Sequence, residues 1–366
     1  MIRIGIDGNE ANVARRVGIS EYAYQLLLHF NTNSKGVDFT VFLKNKVLSQ
    51  LPHENSYYKY EFVAPSRLWT QIGLPIRLFR KKDVDIFFTT SHYAPRFCPV
   101  PTVISIMDVS YFHFPELFNK KDLYKLKNWT QYSANKARKI ITISNSSKND
   151  IIKYYQIPEE KIEVVYPGIK EIQLSKMNKI PSKYEIQGDF ILYIGTLQPR
   201  KNLVRLVEAI SKIKDKKISL VVIGKKGWQY EEILAAPGKF DVKDRIKFLD
   251  FVPDEDLPSF YQNAICYVLP SLYEGFGLPI LEAMQYGCPV ITSNVSSLPE
   301  AGGDAALYFD PTNVDDIAHK IDKVVEDKGL REEMKEKGLS HIKKFSWKKS
   351  AEEVLSILEK EVQKND

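Results

Sequence analysis

The chain has 366 residues, 44% apolar and 27% charged, which is enough for about two ordinary globular domains rather than one core. No apolar run approaches the ~20 residues of a membrane-spanning helix, and the opening "MIRIGIDGNEAN" lacks the apolar centre of a signal peptide, so a cytoplasmic protein is expected. The net charge of +6, from 52 basic and 46 acidic residues, suits anionic substrates or an anionic surface without specifying either.

In chain order, the first half offers the strands "IRIGID", "VDFTVFL", "YKYEFVA", "VDIFFTT", "TVISIMD", "KIITISN" and "IEVVYP". Helix-period segments separate several of them, notably Ile19–Phe30 and Lys120–Arg138. The second half starts over with "FILYIGT", "ISLVVIG", "IKFLDFV", "ICYVLP", "PVITSN" and "ALYF", with helices near Asn202–Lys214 and Pro279–Tyr286 between them. Strands that are apolar throughout and alternate with helices imply parallel sheets covered on both faces. The polar, proline-containing segment Pro167–Lys183 is the expected boundary. The reading is therefore α/β: a Rossmann-like domain over 1–168, a second over 184–345, and an amphipathic C-terminal helix, about 350–366, packing back on the first. Cys98, Cys266 and Cys288 match no metal spacing and read as free thiols, and no metal site is expected.

In such sheets ligands bind beyond the carboxyl ends of the strands. Asp7 with Gly8, Asp108, Ser144, Gly195, Gly224 and the Pro270–Gly277 loop all fall just after strands. In "LPSLYEGFGLPILEAMQYG", Pro279 suits a first helical turn and Gly287 the position past a helix end. Gly275 and Gly277 let backbone approach a ligand. The helix start that follows favours phosphate or an electron-rich sugar. Glu274 can accept from sugar hydroxyls, and Glu282, about one turn into the helix, from a vicinal diol. In "GTLQPRKNLVRLVEAI", Arg200 and Lys201 open a helix, where cations oppose the dipole, so a bound anion is the natural compensation. Each motif alone reads equally well as a capped helix with solvated charges.

Together, "GTLQPRKN", "VVIGKKGW", "PSLYEGFGLPILEAMQYGCPV" and "SSLPEAGGDAALYFDP" resemble the glycosyltransferase family 4 pattern over roughly Phe190 to Pro311. The resemblance implies the GT-B fold, two Rossmann-like domains facing each other across a cleft. It further implies transfer of a hexose, mannose first, from a GDP- or UDP-linked sugar to a glycan or lipid-linked acceptor, with retention and without metal or cofactor. In residue terms, Glu282 would take the ribose. Glu274 and the amides of Gly275, Phe276, Gly277 and Leu278 would hold the sugar and nearby phosphate. Arg200 and Lys201 would hold the diphosphate, and Phe251 and Val252 would lie at the base. Gly18 fits the loop glycine that aims the first long helix at the diphosphate or acceptor, with Arg15 and Arg16 beside it.

The pattern's usual His-Asp is here Met107-Asp108. Met107 can neither accept nor donate a proton, so it would simply pack, leaving Asp108 to orient a substrate. His113 and His92, the nearest histidines, read as packing or surface residues. A non-catalytic nucleotide-sugar or glycan binder and a nucleotide-sugar epimerase are the competing readings. Nucleic acid is not expected as a partner, because the basic residues form no known nucleic-acid-binding motif. Finally, "SRLWTQIGLPIRLFRKK", Ser66–Lys82, mixes Trp69 and Phe79 with five basic residues. It reads either as a peripheral membrane contact or as an ordinary helix packed on the first domain.

Overall fold

The structure is a computed structural model that describes residues 1–32, 36–170 and 179–364. It divides into two compact units, 1–170 with 345–366, and 171–344.

In the first unit the strands are β1 (Ile2–Asp7), β2 (Val37–Leu43), β3 (Tyr58–Phe62), β4 (Ile86–Thr89), β5 (Thr102–Ser105), β6 (Lys139–Thr142) and β7 (Ile162–Val164). They form one parallel sheet in the order β3-β2-β1-β4-β5-β6-β7. The chain order reverses between β1 and β4, so the first unit's switch point lies there.

Alternation along the strands separates two cores. Phe39, Val41 and Leu43 pack with helices Ile19–Thr32 and Trp347–Gln363. Phe42 and Phe87 face the other way, onto Trp69, Leu74 and Leu78. Ile104 and Ile140 lie on that second face too, under helices Lys120–Lys136 and Asn145–Tyr155. The C-terminal helix is joined to this unit by close backbone approach. A Cβ on Gly168 would sit 2.0 Å from the Trp347 nitrogen, Ile169 bridges Ser346, and Ser350 Oγ donates to the Tyr166 carbonyl.

In the second unit the strands are β8 (Phe190–Ile194), β9 (Ser219–Ile223), β10 (Ile246–Leu249), β11 (Cys266–Leu269), β12 (Val290–Ser293) and β13 (Ala306–Phe309). They form a parallel sheet in the order β10-β9-β8-β11-β12-β13. Every side chain of β11 and β12 is buried, as strands covered on both faces require.

Candidate functional site

The second unit's carboxyl edge is built around a buried carboxylate. Glu274, in the loop after β11, receives Lys201 Nζ and Arg200 Nη1 as ion pairs, the latter at 3.1 Å. Ser271 Oγ donates to Oε1 at 2.6 Å. The backbone of Glu274 is held as well: its amide donates to Ser296 Oγ at 3.0 Å and its carbonyl accepts from Ser297 Oγ at 2.8 Å. Burial alone pushes this carboxyl up. The Lys201 and Arg200 charges, with hydrogen bonds from Lys201 and Ser271, overcome that and hold it down at about 2. One carboxylate thus gathers two cations at the strand exit.

Arg200 and Lys201 do not open the helix, as their position suggested. They form a separate turn, Pro199–Lys201, and the helix starts at Leu203. Asn202 between them adopts φ 59°, a conformation asparagine tolerates better than most. Its buried Nδ2 donates to the carbonyls of Pro270, at 3.0 Å, and Pro311, at 2.7 Å. That amide therefore ties the exits of β8, β11 and β13 together, and the Leu272 amide donating to the Arg200 carbonyl, at 2.9 Å, closes the same contact. Asn202, Ser271, Ser296 and Ser297 were not singled out by sequence. Their signal was an asparagine before an apolar helix and serines in strand-exit loops.

The glycines have unequal reasons. Gly224, after β9, must be glycine because an added Cβ would fall 1.9 Å from the Gly195 carbonyl oxygen. The exits of β8 and β9 run backbone against backbone there, with Leu197 and Gly227 amides donating across, both at 2.9 Å. Gly277 has φ 112° and precedes the helix Leu278–Gln285, which starts one residue earlier than expected, with Pro279 in its first turn. Gly275 and Phe276 are buried in the same loop. Glu282 stands exposed on that helix and accepts from Tyr261 Oη at 3.4 Å. The two carboxylates flank Tyr267, whose phenol is raised by burial first and by both charges after that. Beyond β10, Phe251 is 53% exposed while Val252 is buried.

In the first unit, the switch point pairs Asp7 with Thr89 in register. Asp7 is buried and accepts from the Asn9 amide, at 3.0 Å, and Nδ2, at 2.6 Å. Burial outweighs those bonds and pushes it up to about 6. Asp108 Oδ1 accepts from the Ser110 amide at 2.8 Å. Met107 packs against the β1 side core, and its carbonyl accepts from Ser147 Oγ at 2.9 Å. His113 is bonded to Asp150 at 2.9 Å. Burial pulls His92 down to about 4, against the Asp108 charge. Gly18, exposed with φ 55°, heads helix Ile19–Thr32 with nothing within 4 Å of an added Cβ. Arg16 is drawn inward, donating to the Ala11 carbonyl and lying over the Tyr24 ring.

In Ser66–Lys82 two residues follow the reading as an ordinary helix packed on the first domain. Trp69 is a core residue at 4% exposure, and Arg77 is buried on Glu61 and Asp83. Among the described residues no helix is long and apolar enough to cross a membrane, and no group of three His, Cys, Asp or Glu side chains is placed to hold a metal.

Two family models match the chain: "Glycosyltransferase Family 4" over residues 18–171 and "Glycosyl transferases group 1" over 177–341. O-antigen chain mannosyltransferase B of Escherichia coli is 37% identical over 254 residues, 67% of this chain and 66% of that protein. The serotype-specific mannosyltransferase WbdA of the same organism is 30% identical over 252 residues, 64% of this chain but 31% of that protein. The chain thus matches less than two thirds of either relative's length. Among solved structures, Anabaena HepE in complex with UDP and glucose superposes with a TM-score of 0.75 at 16% identity, over 98% of this chain and 100% of that one. A sucrose-phosphate synthase from Thermosynechococcus elongatus gives 0.73 at 16% identity, over 98% and 99%. At such identities the likeness carries the fold, which is GT-B.

Proposed function

The chain belongs to the family 4, group 1 glycosyltransferases, and from that premise we propose that it moves a hexose, mannose first, from a GDP- or UDP-linked donor to a glycan or lipid-linked acceptor in polysaccharide assembly. The mannosyltransferase names of its relatives support the choice of sugar. The observation that carries the reading is the buried Glu274 holding Arg200 and Lys201 together at a sheet's carboxyl edge beside a helix start. Such a site suits a sugar diphosphate. Arg200 and Lys201 would hold the diphosphate charge as it departs, and Glu274 would fix both cations and the donor sugar's hydroxyls. Glu282 would take the ribose, and the Phe251–Val252 backbone the base.

No cofactor or metal enters this scheme. With Met107 apolar, the acceptor proton passes to the departing phosphate oxygen as the acceptor oxygen bonds the anomeric carbon on the same face, and the carbon–phosphate oxygen bond breaks. Asp108 would orient a hydroxyl.

The test is a thermal-shift screen of the chain with GDP-, UDP-, dTDP- and ADP-sugars. The true donor at a hundredfold excess over its Kd adds ~2.7 kcal/mol of stability. Products are then read by NMR, with retained anomeric configuration expected. No shift with any donor sinks the reading. A shift without transfer or hydrolysis returns the chain to a non-catalytic binder.

A further inference from the structure

Exposed large apolar side chains are distributed unevenly between the two units. Of the fourteen among the described residues, twelve belong to the first unit and two, Trp228 and Phe251, to the second. Scattered exposed apolar residues need no explanation. The second unit's two are not scattered: they follow the carboxyl ends of adjacent strands, Trp228 beyond β9 and Phe251 beyond β10. Phe251 borders the base position of the proposed donor, and Trp228 takes no part in that scheme.

Trp228 is 47% exposed, yet the chain that carries it is fixed. The Leu197 amide donates to the Lys225 carbonyl and the Leu197 carbonyl accepts from the Gly227 amide, both at 2.9 Å. A Cβ on Gly227 would fall 2.7 Å from the Leu197 carbonyl oxygen, so glycine permits this approach. Gln229 then turns the chain with φ 53°. The indole is therefore mounted on the same loop that carries Arg200 and Lys201 to Glu274. It makes no hydrogen bond or ring contact among the described residues. Lys225 and Lys226 beside it are exposed and add positive charge. An exposed ring on a rigid mount loses little freedom when a ligand covers it.

Strand order relates this mount to the anion site. The chain order reverses between β8 and β11, where Arg200, Lys201 and Glu274 gather, and the exits of β9 and β10 come next on one side. On the other side, beyond β12 and β13, no large apolar side chain is exposed among the described residues. A ligand with its diphosphate on the cations and a flat ring attached thus meets a matching surface in one direction only. A protein partner fits less well, since two separate rings give no continuous apolar patch.

We propose that Trp228 is a stacking platform for the nucleobase of the donor, beside the Phe251–Val252 loop. The inference rests on the nucleotide-sugar reading and adds a side chain to it. Every base presents a π face, so the indole contributes affinity rather than a choice among bases.

The test is calorimetric titration of the full chain with GDP, UDP, dTDP and ADP, and with inorganic pyrophosphate as the ligand without a base. Trp228→Ala should weaken the best-bound nucleoside diphosphate by about tenfold or more and leave pyrophosphate unchanged. Trp228→Tyr keeps an aromatic face and should restore most of the loss, while Trp129→Ala, exposed in the first unit, should cause none. The nucleotide should also quench a part of the indole fluorescence that is missing in Trp228→Tyr. Unchanged nucleotide affinity in Trp228→Ala overturns the proposal. So does an equal loss for pyrophosphate, which describes damage to the cation site. In both cases the wild type still binds a nucleoside diphosphate and the donor reading stands. A wild type that binds none of the four overturns both.

Discussion

The carboxyl edges of the two sheets both bury ionisable groups but compensate them differently. At the second unit's edge, a buried carboxylate is compensated by two cations and a serine and stays ionised down to about pH 2. At the first unit's edge, burial outweighs the Asn9 hydrogen bonds and Lys44 charge on Asp7 and the Asp108 charge on the half-buried His92, and moves each toward its neutral form, to about 6 and about 4. The same desolvation acts at both edges; the difference is whether the counter-charges pair with the group directly enough to overcome it. A preassembled pair of cations suits an anionic ligand. The first edge instead holds a carboxylate whose charge is costly and an imidazole kept neutral at pH 7.

The contrast breaks most sharply at Lys201. Lys201→Ala leaves Glu274 buried with a single counter-charge and is expected to cost about 3 kcal/mol in urea unfolding and about a hundredfold in transfer rate. Adding Glu274→Gln should return most of the stability and none of the rate. A single variant that unfolds at the wild-type midpoint would show that the trio is not the compensated cluster described.

The next effect separates two glycines. Gly224→Ala drives a Cβ into the Gly195 carbonyl, backbone against backbone, and should lower stability by about 3 kcal/mol. Gly18→Ala meets open space and bears only the left-handed φ of 55°, worth about 1 kcal/mol. Thermal melts of both variants give the difference. Equal losses would mean that the strand exits of the second unit can part.

The second edge was also the more legible in sequence, for a physical reason. Its groups lie within two short runs, residues 195–202 and 270–282, where spacing along the chain reports on spacing in space. The parallel sheets were readable because strands buried on both faces are apolar at every position. What escaped were bonds between distant loops: Asn202 to Pro270 and Pro311, or Ser296 and Ser297 to the backbone of Glu274. Nothing local marks a residue whose partner is 20 or 100 positions away. The same blindness left Ser66–Lys82 open between two readings, because a helical run beside basic residues does not say which of its sides meets the sheet. At the first edge, Asp7 was visible as a residue after a strand. Its displacement toward neutrality depends on an enclosure assembled from separate strands.

That displacement yields the smallest and most specific expectation. Asp7 titrates near 6 in the folded chain against an ordinary 3.8, and burial is the leading cause. Between those values Asp7 brings more protons to the folded state than to the unfolded one, so its contribution to stability rises as pH falls from 6 toward 4, while His92, lowered from 6.5 to about 4, acts in the opposite sense and is the same in both proteins compared below. Above pH 6 the charged form is buried and its full penalty applies; below 3.8 both states are protonated and the penalty is gone. Glu274 works in the opposite sense, contributing stability above its ordinary 4.5 and losing it only as pH falls toward about 2. Melts between pH 7 and 5 therefore isolate Asp7 from Glu274. Asp7→Asn keeps an oxygen to accept from Asn9 and removes the charge, so it should stabilise the chain at pH 7 by about 2 kcal/mol and converge on the wild type toward pH 4. Parallel curves for the two proteins across that window would show that the first unit's edge carries its carboxylate as comfortably as the second, and the contrast between the edges would fail there.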